Sequence, residues 1–141
     1  MILDQIKIHY YKIKADIRDQ IDIDQCKTIV VLHESESATT DQELLFKMLK
    51  AVKRSVDETQ IIVLSDENMG NVGSLLALDQ LEQIIVFGLL PQDVGLNVKA
   101  KLYRSFQMQG KQLIFSHGLV TLNQKPEYKK PLWEALQKAF Q

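Results

Sequence analysis

At 141 residues, with 45% hydrophobic and 25% charged residues, the chain has the size and composition of one globular domain. Such a chain buries roughly two thirds of the surface its unfolded form exposes, and its composition excludes disorder throughout. Its formal net charge is −1. The longest apolar run, within residues 84–90, is far short of the ~20 residues that a membrane-spanning helix needs, and the start lacks a secretory apolar region. A lone Cys26 excludes an internal disulfide and a multi-cysteine metal site. Those features together predict a cytoplasmic protein from a reducing compartment.

The first 25 residues fit two incompatible templates. Leu3, Ile6, Tyr10, Ile13 and Ile17 follow a helical 3-4-3-4 spacing, whereas Ile6, Ile8 and Tyr10 alternate as in a strand. These apolar residues are too many for a free tail, and they match no strand–helix unit of the domain. Residues 1–25 are therefore expected to form a partner-binding segment that orders on docking, anchored by Leu3, Ile6, Ile8, Tyr11 and Ile13. The alternative is a helix or strand packed on the domain's own sheet.

Residues 28–33 (TIVVLH) are β-branched and apolar without polar alternation, as expected of a strand covered on both faces. Residues 60–64 (QIIVL) and 83–89 (QIIVFGL) repeat the pattern. Between the first two, Leu44, Leu45, Met48, Leu49 and Val52 recur at helical spacing after Thr39, Thr40 and Asp41, which suit a helix start. Residues 72–81 predict a second, shorter helix, completing a β-α-β-α-β series. After Gly110, residues 111–116 (KQLIFS) read as a fourth strand. Tyr128, Leu132, Trp133, Leu136 and Phe140 then form one helical stripe over residues 126–140, with Pro126 suited to the first turn and Pro131 starting or bending the helix. The expected architecture is a three-layer α/β domain over residues 26–141, with a mostly parallel sheet of about four strands flanked by helices.

Charge is divided unevenly along the chain. Residues 1–96 hold 9 Lys and Arg against 16 Asp and Glu, a net of −7, and residues 97–141 hold 8 against 2, a net of +6. Lys99, Lys101, Arg104, Lys125, Lys129 and Lys130 are thus candidates for contact with nucleic acid or an acidic partner, although a solvated face has the same composition.

No catalytic constellation stands out. Gly70, Gly73 and Ser74 in MGNVGSL lack the lysine and the spacing of a phosphate-binding loop. His33-Glu34 is not followed by a second histidine, since Ser37 stands there, which excludes the zinc-protease motif. His9 and His117 are far apart, and Cys26 has no neighbouring histidine. No cofactor or metal motif is present. The best-placed segments are Gly88-Leu89-Leu90-Pro91 and Ser116-His117-Gly118, which follow strands at the end where α/β domains hold ligands. Ser116-His117-Gly118-Leu119 is loosely similar to the His-Pro-Ser-Pro element of uracil-DNA glycosylases, but its prolines and that family's water-activating element are missing. A structural role for His117 and a core role for Trp133 are the expected readings.

Nearly the whole chain resembles one family. Residues 122–136 (LNQKPEYKKPLWEAL) are similar to a closing run of Leu, Asn-Pro, basic residues and Leu-Trp before a helical tail. Phe115-Ser116-His117-Gly118-Leu119 resembles the strand end that leads into that helix, and residues 28–32 with 44–52 resemble a first strand and helix. Residues 3–14 (LDQIKIHYYKIK) are similar to a Leu-Gln-x-Leu-Gly-Ile-x-x-Trp/Tyr-x-Leu-Arg start, with Lys7 in place of Gly. These pieces resemble those of the psi subunits of bacterial DNA polymerase III clamp loaders. Here the Asn and Pro of the closing run are separated, and Ala15-Asp16 stands where the family often has Arg-Pro. The resemblance implies a non-catalytic bridge whose N-terminal peptide docks on the clamp-loader collar. Its folded body would bind a chi-like subunit that contacts single-stranded-DNA-binding protein. A divergent uracil-DNA glycosylase-like enzyme or nucleic-acid-binding domain is the alternative.

Overall fold

The computed structural model describes residues 7–11, 27–33, 35, 39–53, 58–64 and 72–140. Six strands form one sheet in the order β1-β3-β2-β4-β6-β5. They are β1 (Lys7–Tyr11), β2 (Thr28–His33), β3 (Thr59–Leu64), β4 (Gln83–Phe87), β5 (Phe106–Met108) and β6 (Lys111–Ser116). All neighbours run parallel except β5, which pairs antiparallel with β6. The fold is α/β with a mostly parallel sheet, as its apolar strand runs predict, and it has two edge strands beyond the four expected.

The central strands are covered on both faces, which explains their lack of polar alternation. Every residue of β3 and β4 is buried, as are the first five of β2. Alternate residues divide between two cores. Ile29, Val31, Ile62, Ile84, Val86 and Phe115 face one side, while Val30, Leu32, Ile61, Ile85, Phe87 and Ile114 face the other.

The second of these faces carries all three α-helices of the described residues: α1 (Thr39–Ala51), α2 (Leu119–Gln124) and α3 (Lys129–Ala139). The first is covered by 3₁₀ turns at Val72–Ala77 and Pro91–Val94, and by the loop through Leu96, Val98 and Ala100. Crossover handedness accounts for the placement of α1 opposite the 3₁₀ connections, whereas α2 and α3 follow the last strand. From β2 the chain moves to β3 on one side, then returns past β2 to β4 and on to β6, and right-handed crossovers in opposite directions place their connections on opposite faces.

Several local expectations change. The segment after residue 72 is a six-residue 3₁₀ turn, Val72–Ala77, rather than an α-helix. Gly73 and the short distance to β4 favour the tighter winding. The third strand stops at Phe87, because Gly88 turns the chain at φ 74°. The terminal helix is a 3₁₀ turn at Pro126–Tyr128 followed by α3, with Pro131 in the first turn, where no intrahelical amide is required.

The N-terminal segment is corrected in part as well. Lys7–Tyr11 pairs in parallel with Gln60–Leu64 of β3, so the strand template holds over these five residues and they belong to the sheet. A boundary at residue 25 therefore does not separate the whole segment from the domain. Leu3, Ile6, Ile13, Ile17 and Cys26 lie outside the described residues, as does Gly70.

Candidate functional site

The strand order reverses beside β2, so the crevice that parallel sheets use for ligands opens at the carboxyl ends of β2, β4 and β6. Three segments leave the sheet on that side. At the end of β2, the His33 Nδ1 accepts the Ser35 backbone N–H at 3.2 Å and lies 2.9 Å from the Ser35 hydroxyl. At the end of β4, the Gly88 N–H donates to the Ser116 carbonyl at 2.9 Å, joining the two sequence-selected segments directly. The following Leu90 is 54% exposed, and its backbone N–H donates to the Asp93 carboxylate at 2.9 Å, which opens the Pro91–Val94 turn.

The end of β6 carries the most elaborate arrangement. The His117 ring stacks on Tyr128, with centroids 4.2 Å apart and planes 22° apart. Tyr103 stacks on Tyr128 at 6.1 Å, and its phenol hydrogen-bonds the His117 Nδ1. The Tyr103 oxygen also lies 3.4 Å from the His117 backbone N–H, while the Ser116 hydroxyl donates to the His117 carbonyl at 2.9 Å. All three rings are half-buried.

Tyr103 reaches this position at a conformational cost. Its φ is 62°, in the left-handed region that a bulky side chain rarely adopts. Its backbone N–H donates to the Phe115 carbonyl at 3.0 Å, which pins the loop to the sheet. Burial pushes the phenol above its ordinary value, so it remains a hydrogen-bond donor through neutral pH.

The tyrosines also bring distant cations together. Lys99, Lys101 and Arg104 share a loop with Tyr103, and Lys125, Lys129 and Lys130 flank Tyr128. All six are exposed except Lys129, which is half-buried. Beside Tyr103 a groove of about 370 Å³ is lined by Arg104, Ser105, Glu134 and Lys138, which adds a seventh cation. The eighth cation of the basic third, Lys111, is buried at the opposite end of β6 and takes no part.

The remaining candidates are dispersed. Trp133 is half-buried rather than a core residue, and lines a shallow groove with Val52 and Phe140 between α1 and α3. His9 is in β1, and Ile8 and Tyr11 are in the same edge strand. Among the described residues, no group of three His, Cys, Asp or Glu side chains is arranged to hold a metal ion. No described helix is long and apolar enough to cross a membrane.

Sequence reasoning selected His117 and the lysines but missed Tyr103, and it assigned Tyr128 to the helical stripe of the core. Their proximity depends on contacts spanning 14 and 25 residues, which no local spacing records. No protein-family model matches the chain, and no curated protein matches it in sequence.

Proposed function

We propose that the chain is a non-catalytic, cytoplasmic accessory subunit of a DNA polymerase III holoenzyme, related to the psi subunits. It would bridge the clamp loader to a chi-like subunit or to single-stranded-DNA-binding protein. The observation that carries this reading is the order of the resembling pieces along the chain. Residues 3–14, 28–32, 44–52, 115–119 and 122–136 follow one another as the family's segments do. Their described parts fall on β1, β2, α1, the β6–α2 junction and α2–α3.

In this reading Leu3, Ile6, Ile8, Tyr11 and Ile13 anchor the chain to the clamp-loader collar. Because Lys7–Tyr11 is the edge strand β1 of the sheet among the described residues, a partner segment could add beside it, the geometry of strand addition. The aliphatic and aromatic anchors would supply specificity. His117 serves as a positioned structural group, with its Nδ1 held by Tyr103. Uracil-containing DNA is accordingly expected to remain intact in the presence of the chain, and uracil release abolished by His117→Ala would overturn the non-catalytic reading.

The direct test is affinity capture of the full chain with the purified clamp loader and single-stranded-DNA-binding protein of its own source organism. Co-elution with clamp-loader subunits is expected, and Tyr11→Ala should weaken it by about 1–3 kcal/mol. Failure of the full chain to co-elute with any clamp-loader subunit would contradict the proposal.

A further inference from the structure

We infer that the surface formed by the Tyr103–His117–Tyr128 stack and its two flanking basic loops binds single-stranded nucleic acid directly. Within residues 97–141 only Glu127 and Glu134 oppose eight cations, and six of those cations lie in the two segments that the Tyr103 and Tyr128 rings join, with Lys138 farther along α3 in the groove beside Tyr103. Two separated charge runs thus become one surface through the Tyr103–Tyr128 contact.

The composition of that surface selects its partner. Protein–protein interfaces are depleted in lysine, whereas the cations of this surface are lysines except Arg104. Single-strand binding combines cations that follow phosphates with aromatic faces on which unpaired bases stack without sequence preference. The Tyr103–His117–Tyr128 stack is half-buried and so keeps part of its aromatic surface open to an incoming base, and exposed Lys101, Arg104, Lys125 and Lys130 provide charge on either side. The groove between Tyr103 and α3 places Arg104, Ser105 and Lys138 together with the Glu134 carboxylate, a lining that is net positive and holds hydrogen-bond donors for a phosphate. The strained φ of Tyr103 and its pinning to Phe115 hold one ring in place before any ligand arrives.

This inference does not depend on the clamp-loader reading, because a chain that captures no clamp loader would still bind the strand. The test is fluorescence anisotropy of a labelled oligo(dT) of about 20 nucleotides with the full chain. A duplex of equal length and poly-glutamate serve as competitors. Binding is expected to be strongest for the single strand and to fall about 50-fold between 50 and 200 mM salt if four phosphates are neutralised. Arg104→Glu combined with Lys130→Glu should lower affinity at least tenfold, and Tyr128→Leu roughly tenfold, while Lys47→Glu combined with Lys50→Glu on α1 should leave it unchanged. Thermal melting of each variant separates loss of the surface from loss of the fold. The inference is overturned by absence of oligo(dT) binding at 20 mM salt or by equal loss in the α1 control. Competition by poly-glutamate as effective as by the oligonucleotide also overturns it, and would identify a surface for acidic proteins.

Discussion

At the amino ends of the strands, polar side chains are buried and joined to one another. The Thr28 hydroxyl donates to the Gln83 side-chain Oε1 at 2.8 Å, and the Gln83 Nε2 donates to the Ala139 backbone carbonyl at 3.2 Å, tying β2, β4 and the end of α3 together. Lys27 and Glu58 add an ion pair at 3.0 Å, and the Lys27 carbonyl receives the backbone N–H groups of Glu82 and Gln83. At the carboxyl ends, half-buried rings, a left-handed tyrosine and exposed cations stand together, with one groove running from Tyr103 along α3. One end uses its polar groups to fasten layers, whereas the other leaves cations exposed beside a half-buried stack of rings. In parallel α/β sheets the second end is where ligands bind, and the chemistry here follows that division.

The largest expected effect comes from breaking the fastened end. Gln83→Ala removes the link among Thr28, Gln83 and Ala139 and should destabilise the fold by roughly 2–3 kcal/mol, read as a lower denaturant midpoint. Oligo(dT) affinity of the folded variant should not change. At the opposite end, Tyr103→Phe removes the hydrogen bonds to His117 but keeps the ring, at an expected cost of about 1 kcal/mol. Comparable losses for the two substitutions would erase the distinction between the ends.

The β5–β6 turn allows a gain instead. Gln109 and Gly110 both have positive φ, 52° and 82°, the geometry of a two-residue type I′ turn that prefers Asn-Gly. Gln109→Asn should therefore stabilise the chain by about 0.5 kcal/mol, as a small rise in melting temperature. The smallest effect is electrostatic. Burial raises the folded-state pKa of Tyr103 above its unfolded value near 10. The protonated phenol's contribution is complete below that unfolded value and is lost as pH rises through the folded one. An ultraviolet titration should show a tyrosine ionising above the ordinary phenol value, and Tyr103→Phe should remove that step.

Much of the scaffold is legible in sequence because burial on both sheet faces leaves uninterrupted β-branched runs. Residues 28–33 and 111–116 coincide with β2 and β6, and the apolar spacing of Leu45 and Leu49 locates the buried side of α1. The edges are harder to read. A five-residue β1 and a three-residue β5 carry too few periods to separate strand from helix or loop, and Val72–Ala77 is too short to distinguish 3₁₀ from α winding. The basic bias of the last third is also visible in the sequence. Its assembly is not, because it depends on Tyr103 crossing to Tyr128 in a backbone conformation that its residue type does not favour.

The difference between the two ends is tested most directly by following backbone amide shifts while oligo(dT) is added to the labelled chain. Perturbations should concentrate at residues 99–105, 116–119 and 125–131, with residues 27–29, 58–60, 82–84 and 111–113 unaffected. Shifts concentrated at the amino ends of the strands, or spread evenly over the surface, would contradict the assignment of binding to the carboxyl end.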